Sequence, residues 1–72
     1  MSLPERIRAL REALELSQDQ LAEKAGLSRT QVSNLERGIH EPGSQTIRRL
    51  AAALDVQPGD LLDEPSPAEG AA

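Results

Sequence analysis

Five side chains in the stretch SRTQVSNLERG, residues 28–38, combine hydrogen-bonding chemistry with a common face. Wound as a helix at about 100° per residue, Arg29, Thr30, Ser33, Asn34 and Arg37 fall within an arc of roughly 140°. Val32 and Leu35 point the other way, with Gln31 beside them. Nothing in the arc is acidic. An arginine can bond bidentately to the O6 and N7 of guanine, and an asparagine to the N6 and N7 of adenine. Serine and threonine add short hydroxyls, and the threonine methyl can meet that of thymine. On residue types alone, two readings stand level: a surface that reads base edges, and a plain solvated helix face.

The overall charge argues against nucleic acid until it is placed along the chain. The 72 residues hold 8 Lys+Arg against 12 Asp+Glu, for a net charge of −4. Residues 1–54 contain all 8 basic residues and 7 of the acids, whereas residues 55–72 contain 5 acids and no base. The acid excess therefore belongs to the C-terminal end, and such asymmetry says more than the total.

Other chemistries find little footing. There is no cysteine and only one histidine, His40. Thiol catalysis, a disulfide framework and a zinc ribbon are thereby excluded, and a reducing, cytoplasmic setting fits. Asp60, Asp63 and Glu64 lack the spacing of a cation-binding loop, so no metal is expected. The serines stand at helix starts or in the polar arc with no base in pattern, so neither an enzyme nor a cofactor is expected. Without aromatic residues the chain also lacks base-stacking platforms. No apolar run approaches a membrane span, and MSLPERIRAL carries charges where a leader peptide needs its apolar segment.

The elements that must position the arc are punctuated by short local signals. Ser2-Leu-Pro-Glu5, Ser17-Gln-Asp-Gln20 and Ser28-Arg-Thr-Gln31 each read as a capping box. Leu16 with Leu21, and Leu27 with Val32, stand where a hydrophobic staple is made. Leu3, Ile7, Leu10 and Leu14 form one apolar stripe, predicting a helix over 3–14. Further helices are predicted over 18–25, stopping at Gly26, and over 29–37, stopping at Gly38. Only Gly26, Leu27 and Ser28 separate these two, so they must cross steeply. IHEPGS reads as a loop. Ile47, Leu50, Ala51 and Leu54 predict a helix over 45–54, and Pro58 opens a short one over 58–62. Residues 63–72 carry no large apolar side chain and read as a disordered acidic tail. The fold class is a single all-α domain over 1–62.

QDQLAEKAGLSRTQVSNLER, residues 18–37, resembles the helix-turn-helix of the phage-repressor group, the lambda-repressor-like and Cro-like (XRE) proteins. Ala22, Gly26, Val32 and Leu35 carry the match, which extends over about residues 3–62 through Glu36–Gly38, Pro42, Thr46 and VQPGDLL. The resemblance implies a compact five-helix domain that binds double-stranded DNA, with the helix beginning after Ser28 in the major groove. It implies base contacts from Arg29, Thr30, Ser33 and Asn34, and backbone contacts from Gln18, Arg37, Gln45 and Thr46. Gln18 matches a glutamine that binds phosphate and buttresses the first recognition residue, and Arg11 with Glu36 matches an internal salt bridge.

Some positions depart from the family pattern. Ile39-His40-Glu41 stands where relatives often carry Lys or Arg, which implies weaker non-specific backbone affinity. Gly43 replaces a capping serine, so Ser44 is expected to cap one residue later. Asp55 replaces a glycine at a position that often needs positive φ. Limited specificity from one helix implies a homodimer on a pseudo-palindromic site, with half-site centres one turn (~34 Å) apart. Val56, Leu61 and Leu62 are the candidate dimer contacts, unless they close the monomer core. The rival reading on this fold is an antitoxin-like or other protein-binding module.

Overall fold

The computed structural model describes residues 2–62, which fold into five helices. These are α1 (Leu3–Ala13), α2 (Gln18–Ala25), α3 (Arg29–Glu36), α4 (Ser44–Ala53) and α5 (Pro58–Leu62). The tail assigned to residues 63–72 lies outside the described residues.

Local chemistry explains most helix starts. Ser17 and Ser28 each close a full capping box. The Gln20 N–H donates to Ser17 Oγ at 3.0 Å while the Ser17 N–H donates to Gln20 Oε1 at 2.8 Å. The matching distances for Gln31 and Ser28 are 3.1 and 2.9 Å. At α1 the Glu5 N–H donates to Ser2 Oγ at 3.5 Å. Helix α4 differs from expectation: Gly43 occupies the cap position, no side chain caps the helix, and Ser44 is already its first residue. The backbone turns into the helix one residue too early for the Ser44 hydroxyl to reach back. At α5 the Gln57 N–H donates to Asp60 Oδ2 at 3.0 Å. Asp60 is thus engaged in holding the start of its own helix.

The ends of α1 to α4 share one device. Each finishes with a left-handed residue and a pair of backbone bonds that satisfy its last carbonyls, the Schellman arrangement. At α3 the Ile39 N–H donates to Asn34 O and the Gly38 N–H to Leu35 O. At α1 the bonds run from Leu16 to Arg11 and from Glu15 to Glu12, and at α4 from Val56 to Ala51 and from Asp55 to Ala52. This closure ends α1, α3 and α4 at Ala13, Glu36 and Ala53, one residue before the periodicity suggests. The left-handed residues are Glu15 (φ 57°), Gly26 (70°), Gly38 (75°) and Asp55 (60°). The need for positive φ at Asp55 was legible in the sequence, whereas that at Glu15 was not. A side chain in this region crowds the following carbonyl. Glu15→Gly and Asp55→Gly are therefore each expected to raise stability by about 1 kcal/mol, net of the glycine's greater freedom when unfolded. Thermal melting checks this: each should gain about 4–8 °C.

Helix α3 packs against α2 and α1, α4 against α2 and α5, and α1 against α5. The side chains of Ile7, Leu21, Val32, Leu50 and Leu61 are fully buried at the centre. Leu61, a candidate dimer contact, therefore closes the monomer core. Leu14, placed by periodicity on the buried stripe of α1, is instead 45% exposed. It follows the last residue of α1, where the chain turns away through Glu15. Two arginines tie elements together from outside the core. Arg6 donates from Nη1 to the Asp60 carbonyl at 2.8 Å, joining α1 to α5. Arg49 donates from Nη1 to the Gly26 carbonyl at 3.4 Å, joining α4 to the turn between α2 and α3.

Candidate nucleic-acid interface

Helix α3 is held by its two ends and one face. Val32 and Leu35 anchor it in the core. The capping box at Ser28 fixes its start, and Glu36 fixes its end. Arg11 donates from Nε to Glu36 Oε2 at 2.6 Å and from Nη2 to Oε1 at 3.0 Å. Its third group, Nη1, donates to the Leu16 carbonyl at 2.8 Å. Gln18 adds a bond from Nε2 to Glu36 Oε1 at 3.2 Å. The Glu36 side chain is only 5% exposed. Its charge is spent inside the molecule, where it ties α1, the start of α2 and the end of α3 together. The hydrogen bond from Glu36 holds the proton of Arg11 more firmly than usual, against a smaller opposing effect of burial. A raised arginine value means that this contribution is lost on the alkaline side only as the pH rises through the range where arginine itself deprotonates.

With α3 so fixed, Arg29, Thr30 and Arg37 are exposed, and Ser33 and Asn34 are half-buried. A shallow recess beside them is lined by Gln31, Asn34, His40, Pro42 and Thr46, among others. It brings the middle of α3 next to the start of α4, where Gln45 and Thr46 lie in a first turn without a side-chain cap. Such helix starts favour anions. Gln31 is occupied in the capping box.

Two contacts in this region were not expected from the sequence. Gln18, expected at phosphate and in support of the first recognition residue, donates from Nε2 to Glu36 Oε1. Asp19, one residue on, lies with Oδ1 3.8 Å from Arg29 Nε. The polar arc is thus free of acids from its own helix but receives one from α2. No local sequence signal marks this, because it depends on how α2 and α3 cross.

The geometry has close counterparts. A profile described as helix-turn-helix matches residues 7–61. The chain belongs to this helix-turn-helix family. Its members here are lambda-repressor-like (XRE) DNA-binding domains, not enzymes. The crystal structure of the P22 c2 repressor in complex with a synthetic operator superposes with a TM-score of 0.83 at 34% identity, over 90% of this chain and 98% of that one. The immunity repressor protein of Bacillus phage phi105 is 39% identical over 64 residues, covering 89% of this chain and 44% of the repressor. SinR in its complex with SinI matches with a TM-score of 0.81 at 36% identity, over 86% of this chain and 61% of that one. The chain thus spans less than half the length of the phi105 repressor. In this helix-turn-helix domain, α2 and α3 are the paired helices, and Gly26 supplies the left-handed turn between them.

Proposed function

We propose that this domain is a sequence-specific regulator of transcription that binds double-stranded DNA and acts as a repressor. Helix α3 reads the major groove, with Arg29, Thr30, Ser33 and Asn34 directed at bases. Arg37, Gln18 and the opening amides of α4 at Gln45 and Thr46 engage the backbone. The observation that carries this reading is the outward face of α3: five hydrogen-bonding side chains on a helix whose own acid, Glu36, is sequestered by Arg11 and Gln18. The P22 c2 repressor structure, which contains an operator, supports it, as does the phi105 immunity repressor. The reading includes a cytoplasmic setting, which the helix-turn-helix family supports.

A single recognition helix offers few base contacts, so the reading includes a homodimer on a pseudo-palindromic site. With Leu61 in the core, Val56 and Leu62 remain the candidate contacts, Leu62 being exposed and Val56 half-buried. In vitro selection from random duplex DNA tests the whole reading. The expected product is a motif repeated with two-fold symmetry, its halves about one helical turn apart. Failure to enrich any motif would sink the proposal. The SinR–SinI complex favours a second reading, a protein partner on the same fold; co-purification of a stoichiometric partner without DNA enrichment would favour it over the first.

Point variants separate the roles on α3. Arg29→Ala is expected to relax preference at one base pair and cost about 1–3 kcal/mol on the selected site. Arg37→Ala should weaken all sequences evenly and flatten the salt dependence by about one phosphate contact. Binding titrations at several salt concentrations distinguish the two, and equal behaviour of both variants would refute the division of labour.

A further inference from the structure

We infer that Asp19 is a positioning residue for Arg29, setting the aim of its guanidinium and sharpening its choice of guanine. This rests on the DNA-reading assignment above. Asp19 is the second residue of α2 and Arg29 the first of α3, so the contact joins the starts of the two paired helices. The nearest approach is between Asp19 Oδ1 and Arg29 Nε, 3.8 Å apart, an ion-pair distance longer than a hydrogen bond. A contact made at Nε leaves the two terminal nitrogens available. They are the pair whose spacing fits O6 and N7 of guanine.

A role in folding does not account for the pair. Its side chains are 69% and 70% exposed, and exposed ion pairs add little to stability. Asp19 is not needed as a cap, because Ser17 and Gln20 already close the box at this helix start. A negative charge beside the reading face also opposes phosphate. Its value lies in the docked state, where water is displaced and the Asp19–Arg29 attraction strengthens. Restraining a long, flexible side chain beforehand also lowers the entropy lost on binding. Gln18, the residue before Asp19, directs its amide nitrogen to Glu36. Asp19 therefore occupies the supporting place next to Arg29.

The test uses the site selected by the unaltered protein and measures binding to it and to each single-base variant. Asp19→Ala is expected to reduce discrimination at the one base pair read by Arg29 by about threefold to tenfold. It should raise affinity for random-sequence duplex at low salt and lower the melting temperature by only a few degrees, through loss of the acid in the first turn of α2. In an Arg29→Ala background the same substitution should no longer affect discrimination, since the two residues act through one contact. Asp19→Asn, which retains the side-chain shape, serves if the alanine variant does not fold. Unaltered discrimination, a loss spread evenly over all positions, or a loss that persists without Arg29 would each overturn the inference while leaving DNA reading intact. If the unaltered protein selects no site, the DNA-reading assignment fails, and this inference with it.

Discussion

Glu36→Ala is expected to cost about 2–3 kcal/mol of folding stability, less than the loss of one partner from a fully buried ion pair because this pair is half-buried. The substitution strips Arg11, whose side chain is 14% exposed, of both its carboxylate bonds. It also releases Gln18 from Glu36 Oε1. One bond to the Leu16 carbonyl remains to Arg11, and it does not balance the charge. Domains of this size have roughly 5 kcal/mol to lose, so the variant should still fold but melt about 10–20 °C lower. Glu36→Gln should fall between the two, because the amide oxygen still accepts but the charge is gone. Denaturant unfolding followed by circular dichroism measures both variants. A loss below about 1 kcal/mol for the alanine variant would show that the pair is a solvated ornament rather than the tie between α1, α2 and α3.

The second large effect concerns the angle between the paired helices. Ala22 on α2 is 4% exposed in the core that also holds Val32 and Leu35 of α3. Enlarging it to leucine adds three carbons where packing is already complete, at a cost of about 1–3 kcal/mol. The functional loss should be greater than the loss of stability. The turn from Gly26 to Ser28 is short, and α3 is pinned at both ends, so the added volume must tilt one helix against the other. Base contacts tolerate little tilt. Ala22→Leu should therefore lower affinity for the selected site toward the non-specific level, about 10³-fold or more, while keeping its helical circular dichroism. Glu23→Gln, at the neighbouring exposed position, is the control and should bind the selected site like the unaltered protein. A folded Ala22→Leu variant that still discriminates would mean that the crossing angle does not govern recognition.

Local signals carried much of the fold. Ser17 and Ser28 could be assigned as helix caps because a capping box needs only residues three apart. Gly26 and Gly38 marked helix ends because few other residues accept positive φ. The outward set on α3 followed from helical periodicity, which also buried Val32 and Leu35. The same rules failed where a third party intervened. Leu14 fits the stripe of α1 but lies past the helix end, and Ser44 has the chemistry of a cap but is already inside α4. Glu15 carries no mark of the left-handed turn it makes, since glutamate is uncommon there.

By itself, then, the sequence determined which segments are helical, where all but α4 begin, and which face of α3 is polar, because these depend on contacts within a turn or two of the chain. Tertiary structure decided what that polar face is made of. It drew Glu36 out of the interface by closing it against Arg11, 25 residues away. It turned Gln18 inward to the same carboxylate, and it put Asp19 beside Arg29. It also sent Leu61 into the core and left Leu62 exposed. Each outcome follows from how the helices cross, and crossing is set by the packing of the shared core, which no local pattern specifies.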